Sequence, residues 1–212
     1  MLRCLIAIGL VTLFVWPLSC TAQTVDQEAI RVGDQWTYDV KDGFTGNLRN
    51  AFTVVVADTN NREIITRVTY QGKDRPQTAV YDNDWGRIDD GLWKLRPSGI
   101  GIKKPLQIGK EWKSDADGMN LQSGTAFHAS GAAKVVAQEP VTTPAGTFET
   151  FRINMTVRLV NTRDQSRSQN WTFMVWYAPA INRWVKRTSE WRQEGRVRDS
   201  YSEELTGYSR KP

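Results

Sequence analysis

Cysteine is nearly absent, and its position decides what that means. The chain holds two, Cys4 and Cys20, both inside an opening that reads as an export leader over residues 1–22. Arg3 supplies the positive start, and Leu5 to Trp16 form an apolar run. That run is too short for a membrane-crossing helix of about 20 residues. Cys20 and Ala22 occupy the small-residue places before Gln23, as an export cleavage site requires. Cleavage there would leave a cysteine-free protein without disulfides, stabilised by its packed core alone. The competing reading lipidates Cys20 after cleavage at Ser19, although Pro17 stands where that signal wants an aliphatic residue.

Histidine is equally scarce, with His128 the single example. One histidine leaves too few nitrogen and sulfur ligands for a zinc-type site. No serine sits in a G-x-S-x-G elbow, and His128, between Phe127 and Ala129, has no recognisable nucleophile or orienting acid. The sequence therefore predicts a non-enzymatic protein without a cofactor. Charge of one sign is also not dominant. The net charge is +5, and the leader contributes only Arg3, so the remaining chain carries +4. Its basic residues are interleaved with acids, as in Arg187-Thr188-Ser189-Glu190-Trp191-Arg192-Gln193-Glu194. Such mixing reads as a solvated strand face and argues against nucleic acid as a partner. Beyond the leader no run suggests a transmembrane segment, and no helical period lasts more than about two turns; at most one helical turn fits Gln23 to Arg31.

What the chain has in abundance is strand pattern. Trp36, Tyr38 and Val40 alternate with polar neighbours. Ala51 to Val56 and Ile64 to Tyr70 flank the turn-rich Asp58-Thr59-Asn60-Asn61, a hairpin signature. The clearest strand follows the turn Pro144-Ala145-Gly146. There Phe151, Ile153, Met155, Val157 and Leu159 share one side, while Arg152, Asn154, Thr156 and Arg158 share the other. One dry face and one wet face mark an antiparallel sheet. Trp171 to Tyr177 is a near-continuous apolar strand, and Trp184-Val185-Lys186 begins a return strand. The middle, Pro97 to Pro140, is less regular, and its small-residue run Ser123 to Ala133 is expected to mark bends or close backbone approach. A short motif occurs twice, as Val32-Gly33-Asp34-Gln35-Trp36 and Ile108-Gly109-Lys110-Glu111-Trp112, which raises the question of two related halves. The expected class is all-β: a single curled or barrel-like antiparallel sheet with little or no helix after the leader, forming one domain over residues 23–212.

Pro144-Ala145-Gly146-Thr147-Phe148, Trp176-Tyr177-Ala178-Pro179 and Arg183-Trp184-Val185-Lys186, with Pro105 to Trp112 before them, resemble a family of exported bacterial β-rich proteins. That family is known only as a domain of unknown function. The resemblance covers roughly residues 100–190. It implies an envelope or periplasmic location and a curved antiparallel sheet, loosely comparable with lipoprotein-carrier half-barrels, and it transfers no catalytic residues.

Tryptophan is the compositional excess: nine in all, eight beyond the leader. Packing accounts for most of them, since each brings large apolar area and strand preference. Trp85, in the turn Asp84-Trp85-Gly86, and Trp93, beside Lys94 and Arg96, are the best candidates for a ligand surface. The Ile100 to Lys104 loop adds Ile100 and Lys103. An apolar or amphipathic ligand, lipid-like or otherwise, or a protein partner, held in the sheet concavity is the leading expectation. A glycan-binding or glycan-processing module using exposed Trp85 or Trp93 and carboxylates is a second, and an assembly partner of an envelope complex, docked through an exposed sheet edge, is a third. Asp82, Asp84 and Asp89 form a weak calcium candidate, because their spacing does not match a calcium loop.

Overall fold

The alternation read along the strands becomes the two faces of one closed sheet in the computed structural model, which describes residues 29–210. Twelve antiparallel strands follow one another around a barrel. The first six are β1 (Gln35–Asp42), β2 (Leu48–Thr59), β3 (Glu63–Tyr70), β4 (Gln77–Asp82), β5 (Arg87–Asp89) and β6 (Trp93–Arg96). The second six are β7 (Glu111–Asn120), β8 (Thr125–Thr143), β9 (Gly146–Asn161), β10 (Ser168–Ala178), β11 (Arg183–Gln193) and β12 (Arg196–Ser209). Each strand pairs with its sequence neighbours, and β12 returns to β1 with Gln35 opposite Ser209 and Asp42 opposite Tyr201. A single 3-10 turn, Pro179–Ile181, joins β10 to β11. The leader, with Cys4 and Cys20, and most of Gln23 to Arg31 lie outside the described residues.

The predicted dry face of β9 points inward: Phe151, Ile153 and Met155 are buried, while Asn154, Thr156 and Arg158 are exposed. This is the reverse of a lipid-spanning barrel, whose apolar side faces outward. Trp36 and Tyr38 enter the core from β1 with no exposed surface.

The two Gly-x-x-Trp motifs open the two six-strand halves in the same way. Gly33 and Gly109 both take left-handed backbone, with φ of 92° and 87°, which glycine adopts without steric penalty. The Gly33 N–H donates to the Val56 carbonyl and the Val56 N–H to Asp34. In the second copy Gly109 donates to Val135, and Val135 to Lys110. The five-residue match therefore marks a repeated local geometry.

The irregular middle departs from its reading in part. Ser123 to Ala133 does not interrupt the sheet, because Thr125 to Ala133 belongs to the long strand β8. Its small residues serve close approach. A Cβ on Gly131 would lie 2.5 Å from the Ser114 hydroxyl and 3.2 Å from Ile100. The Pro97 to Lys110 connection is a true loop, and its Gly99 to Ile102 portion folds back into the barrel interior.

Candidate functional site

A barrel of about eight strands is just filled by its own side chains, whereas wider ones leave a lumen. Twelve strands create that surplus width. The chain seals one end and leaves the other open. The seal is built from three connections. The β4–β5 turn inserts Trp85, the loop before β7 inserts Ile100 to Ile102, and the 3-10 turn brings Ile181, Asn182 and Arg183. Trp85 adopts a left-handed φ of 62°, a strained conformation for a residue with a Cβ. Its ring meets Trp36 and Tyr81 edge-on at 5.8 and 5.4 Å. Its indole N–H donates to the Asn182 carbonyl at 2.8 Å, and the Trp36 N–H donates to Ile181 at 3.2 Å. The Ile102 N–H donates to the Asp84 carbonyl, tying the loop to the turn.

Above this floor lies a cavity of about 740 Å³. Its walls are the inward residues of many strands, among them Phe52, Val68, Leu95, Ala129, Met155 and Phe173. It opens at the far end, where exposed Arg49, Gln77 and Leu92 border it. The charged groups at that mouth cancel: Arg49 pairs with Asp199 at 2.7 Å and Arg87 with Asp90 at 3.1 Å. Large exposed apolar side chains gather there too, with Phe44, Leu48, Leu92 and Leu121 on the turns around the opening.

The deep wall carries charge. Between Trp176 and Tyr177 on β10 the register of β11 shifts by one residue, so that Tyr177 faces Trp184 and Trp176 faces Lys186. Such a bulge re-aims side chains, and here it sends both Trp184 and Arg187 into the lumen. The Arg183 guanidinium is held between two indoles, 3.9 Å from the Trp85 ring centre and 3.8 Å from that of Trp184. Arg187 lies on the same Trp184 at 4.7 Å and reaches Phe173 at 5.9 Å. Phe173 stacks on Trp171, and Trp171 on Trp191. Rings and guanidinium groups thus form a ladder rising from the floor toward the mouth. Arg187 Nη2 donates to Glu203 at 2.5 Å, and Trp184 Nε1 donates to the other Glu203 oxygen at 3.1 Å.

Burial works against the Arg187 charge, but the adjacent Glu203 carboxylate outweighs it and holds the group above its ordinary value. Burial pushes the Tyr38 phenol up, despite the Arg183 guanidinium beside it. Arg183 itself is 1% exposed, and its Nε and Nη1 find no acceptor among the described residues.

The sequence-predicted residues divide. Trp85, Trp93 and Ile100 line the cavity, with Trp93 set edge-on against Phe127 at 5.3 Å. Arg96 and Lys103 do not line it: both are exposed, and Lys103 pairs with Asp84 at 2.9 Å. Trp85 offers no glycan platform, whereas Trp93 is half-buried in the cavity wall. Trp85 is 5% exposed, and its flat face is covered by Arg183. The calcium candidate is not assembled, because its carboxylates already have protein partners. Asp82 accepts from the Asp84 and Gly86 amides and from Ser98, Asp84 holds Lys103, and Asp89 faces Lys94 at 3.5 Å. Among the described residues no group of three His, Cys, Asp or Glu is placed to hold a metal. Among the described residues the sheet has no free terminal edge, since β1 and β12 pair and close the barrel. His128 lies on the outer surface between Asp115 and Asp117, 3.0 Å from each.

Sequence reasoning missed Arg183, Trp184, Arg187 and Glu203. The mixed charges from Arg187 onward read as a solvated face, yet Arg187 points into the lumen. The available signal was an arginine two places from Ser189, on the side of the strand that also carries Trp191.

No protein-family model matches the chain, and no curated protein does. Solved structures do. An exported-protein candidate with a YmcC-like fold from Bacteroides fragilis superposes with a TM-score of 0.56 at 15% identity, covering 87% of this chain and 99% of that one. A candidate lipoprotein from Parabacteroides distasonis gives 0.55 at 13% identity, covering 84% and 96%. At such identities the likeness is one of fold: this chain is an all-β antiparallel barrel of the kind those two structures show.

Proposed function

We propose that the protein is an exported, non-enzymatic binder of an apolar or amphipathic small molecule, which it holds inside the barrel. The observation that carries this reading is the cavity, walled mainly by apolar side chains with charged groups at its deep end, sealed at one end and open at the other. Its volume of about 740 Å³ falls within the roughly 300–1,000 Å³ usual for small-molecule sites. Export is supported by the leader over residues 1–22. It is also supported by the fold shared with an exported-protein candidate and a lipoprotein candidate. The remaining chain, residues 23–212, acts as one domain, released after Ala22 or anchored through Cys20.

The test uses a neutral dye that brightens in apolar surroundings, N-phenyl-1-naphthylamine. Wild-type protein is expected to bind it saturably. Ala129→Phe, which places a ring in the cavity wall, is expected to weaken binding while the circular-dichroism spectrum is kept. Native mass spectrometry of protein purified gently from its host envelope should show a bound small molecule. It also reports whether the chain begins at Gln23 or at a lipidated Cys20. A dye that fails to bind, or binds Ala129→Phe equally well, would overturn the proposal.

A further inference from the structure

The deep end of the cavity holds more positive than negative charge. Arg183 and Arg187 stand against Glu203 alone, while the other charged pairs bordering the cavity cancel at the mouth. Among the described residues no carboxylate lies within ion-pair distance of Arg183. A cation taken out of water without a counter-charge is costly. Contact with two indole faces offsets part of that cost, because ring faces attract cations. The Trp36 and Tyr81 rings stand farther off, at 5.4 and 5.7 Å. Arg187 is the more open of the two arginines. Its side chain is 20% exposed, against 5% for Glu203, and its Nε has no protein acceptor.

We infer that the floor of this cavity takes the head group of a singly charged, planar anion, a carboxylate on a single apolar chain, with the chain directed up the lumen toward the mouth. This rests on the reading that the cavity binds a ligand. Arg187 would meet the carboxylate directly, and Arg183 beneath it supplies the charge that Glu203 does not cancel. One surplus positive charge matches a monoanion. Guanidinium edges match the plane of a carboxylate, which can accept two parallel hydrogen bonds. The apolar walls above, from Phe173 and Met155 to Leu159, suit a hydrocarbon chain. The head is expected at the sealed end, because the charged groups at the mouth already neutralise one another.

The experiment displaces N-phenyl-1-naphthylamine from wild-type protein at neutral pH with chain-matched competitors: a long-chain fatty acid, the corresponding alcohol, the alkyl phosphate and the alkyl trimethylammonium. The fatty acid is expected to compete at least about tenfold better than the alcohol, as hydrogen bonds to charged groups warrant. The trimethylammonium should compete worst and the alkyl phosphate less well than the acid. Arg183→Met should lose the preference for acid over alcohol, read as the ratio of the two displacement constants, and Arg183→Lys should keep the sign of the preference. Equal displacement by acid and alcohol overturns the anion inference and leaves the cavity reading intact. A better alkyl phosphate overturns the planar monoanion. Absence of dye binding removes the cavity reading itself. The wild-type comparison decides the matter even if Arg183→Met fails to fold.

Discussion

Arg183 lies over the ring of Trp85, its guanidinium carbon 3.9 Å from the ring centre. The two residues come from different connections, the β10–β11 turn and the β4–β5 turn. Their stacking joins two separate pieces of the floor. The same contact explains why a turn tryptophan with left-handed backbone is held in place: its strain is offset by burial, an indole hydrogen bond and a cation on its face.

The first prediction concerns Arg183. Arg183→Met exchanges an unpaired buried charge for an apolar chain of similar length. The relief of desolvation and the loss of the ring contacts, of which the two shortest, to Trp85 and Trp184, are worth about 2 kcal/mol each when dry, largely cancel. Urea denaturation should therefore place Arg183→Met within about 1 kcal/mol of wild type, or above it. Arg183→Ala, which leaves a void under Trp85, should cost roughly 2–5 kcal/mol. A large loss in the methionine variant would mean that the charge itself holds the floor.

The Arg187–Glu203 pair behaves differently, because each partner is matched. Glu203→Leu strands the Arg187 charge and removes the acceptor of the Trp184 indole. It should destabilise by about 3–5 kcal/mol. Arg187→Met combined with Glu203→Leu should recover most of that loss. A double-mutant cycle measures the coupling, and simple additivity would contradict it.

His128 gives a pH signature that can be read without interference, as the single histidine. Its pKa is raised by the Asp117 hydrogen bond and the Asp115 charge. The folded state therefore holds the proton more tightly than the unfolded chain. The resulting stabilisation is full below the ordinary histidine value of about 6.5 and is lost as pH rises through the folded value. An NMR titration of the His128 ring should report a midpoint above about 6.5, and Asp115→Asn with Asp117→Asn should bring it down. A midpoint at or below the ordinary value would show that the two carboxylates do not act on it.

Gly101 is the position where the loop touches the turn most closely. A Cβ there would sit 2.5 Å from the Asp84 carbonyl oxygen and 2.7 Å from the Gly86 nitrogen. Both are backbone atoms that cannot swing aside. Gly101→Ala should cost roughly 1–3 kcal/mol and loosen the seal, visible as faster hydrogen exchange at the Ile102 amide. Unchanged exchange would show that the loop closes the barrel without that contact.

Much of the barrel was legible because strand alternation is a local property. Phe151 to Leu159 declare their inward side within nine residues, and the Gly33 and Gly109 turns reveal themselves by repetition. Closure was not legible to the same degree: a curled sheet and a barrel share every local pattern and differ only in whether β12 reaches β1. The site was harder still. Trp85 stood out because a turn has little local use for an indole. Its burial arises from partners nearly a hundred residues away, Asn182 and Arg183. Arg187 was misread because period two cannot show which face is inside once a bulge at Val185 has shifted the register. An inward arginine and an outward one look identical in a strand that mixes charges.

The closing pair of strands has a consequence for how the molecule can be held. Gln35 at the start of β1 faces Ser209 at the end of β12, and Arg210 reaches back to the Ala29 carbonyl. Both ends of the described chain thus leave from beneath the floor, on the side away from the mouth. A tether attached before Ala29 or after Arg210, whether a lipid, a linker or an affinity tag on a sensor chip, starts on that side. Held by either end, the barrel would stand like a cup on its base, with its opening turned outward.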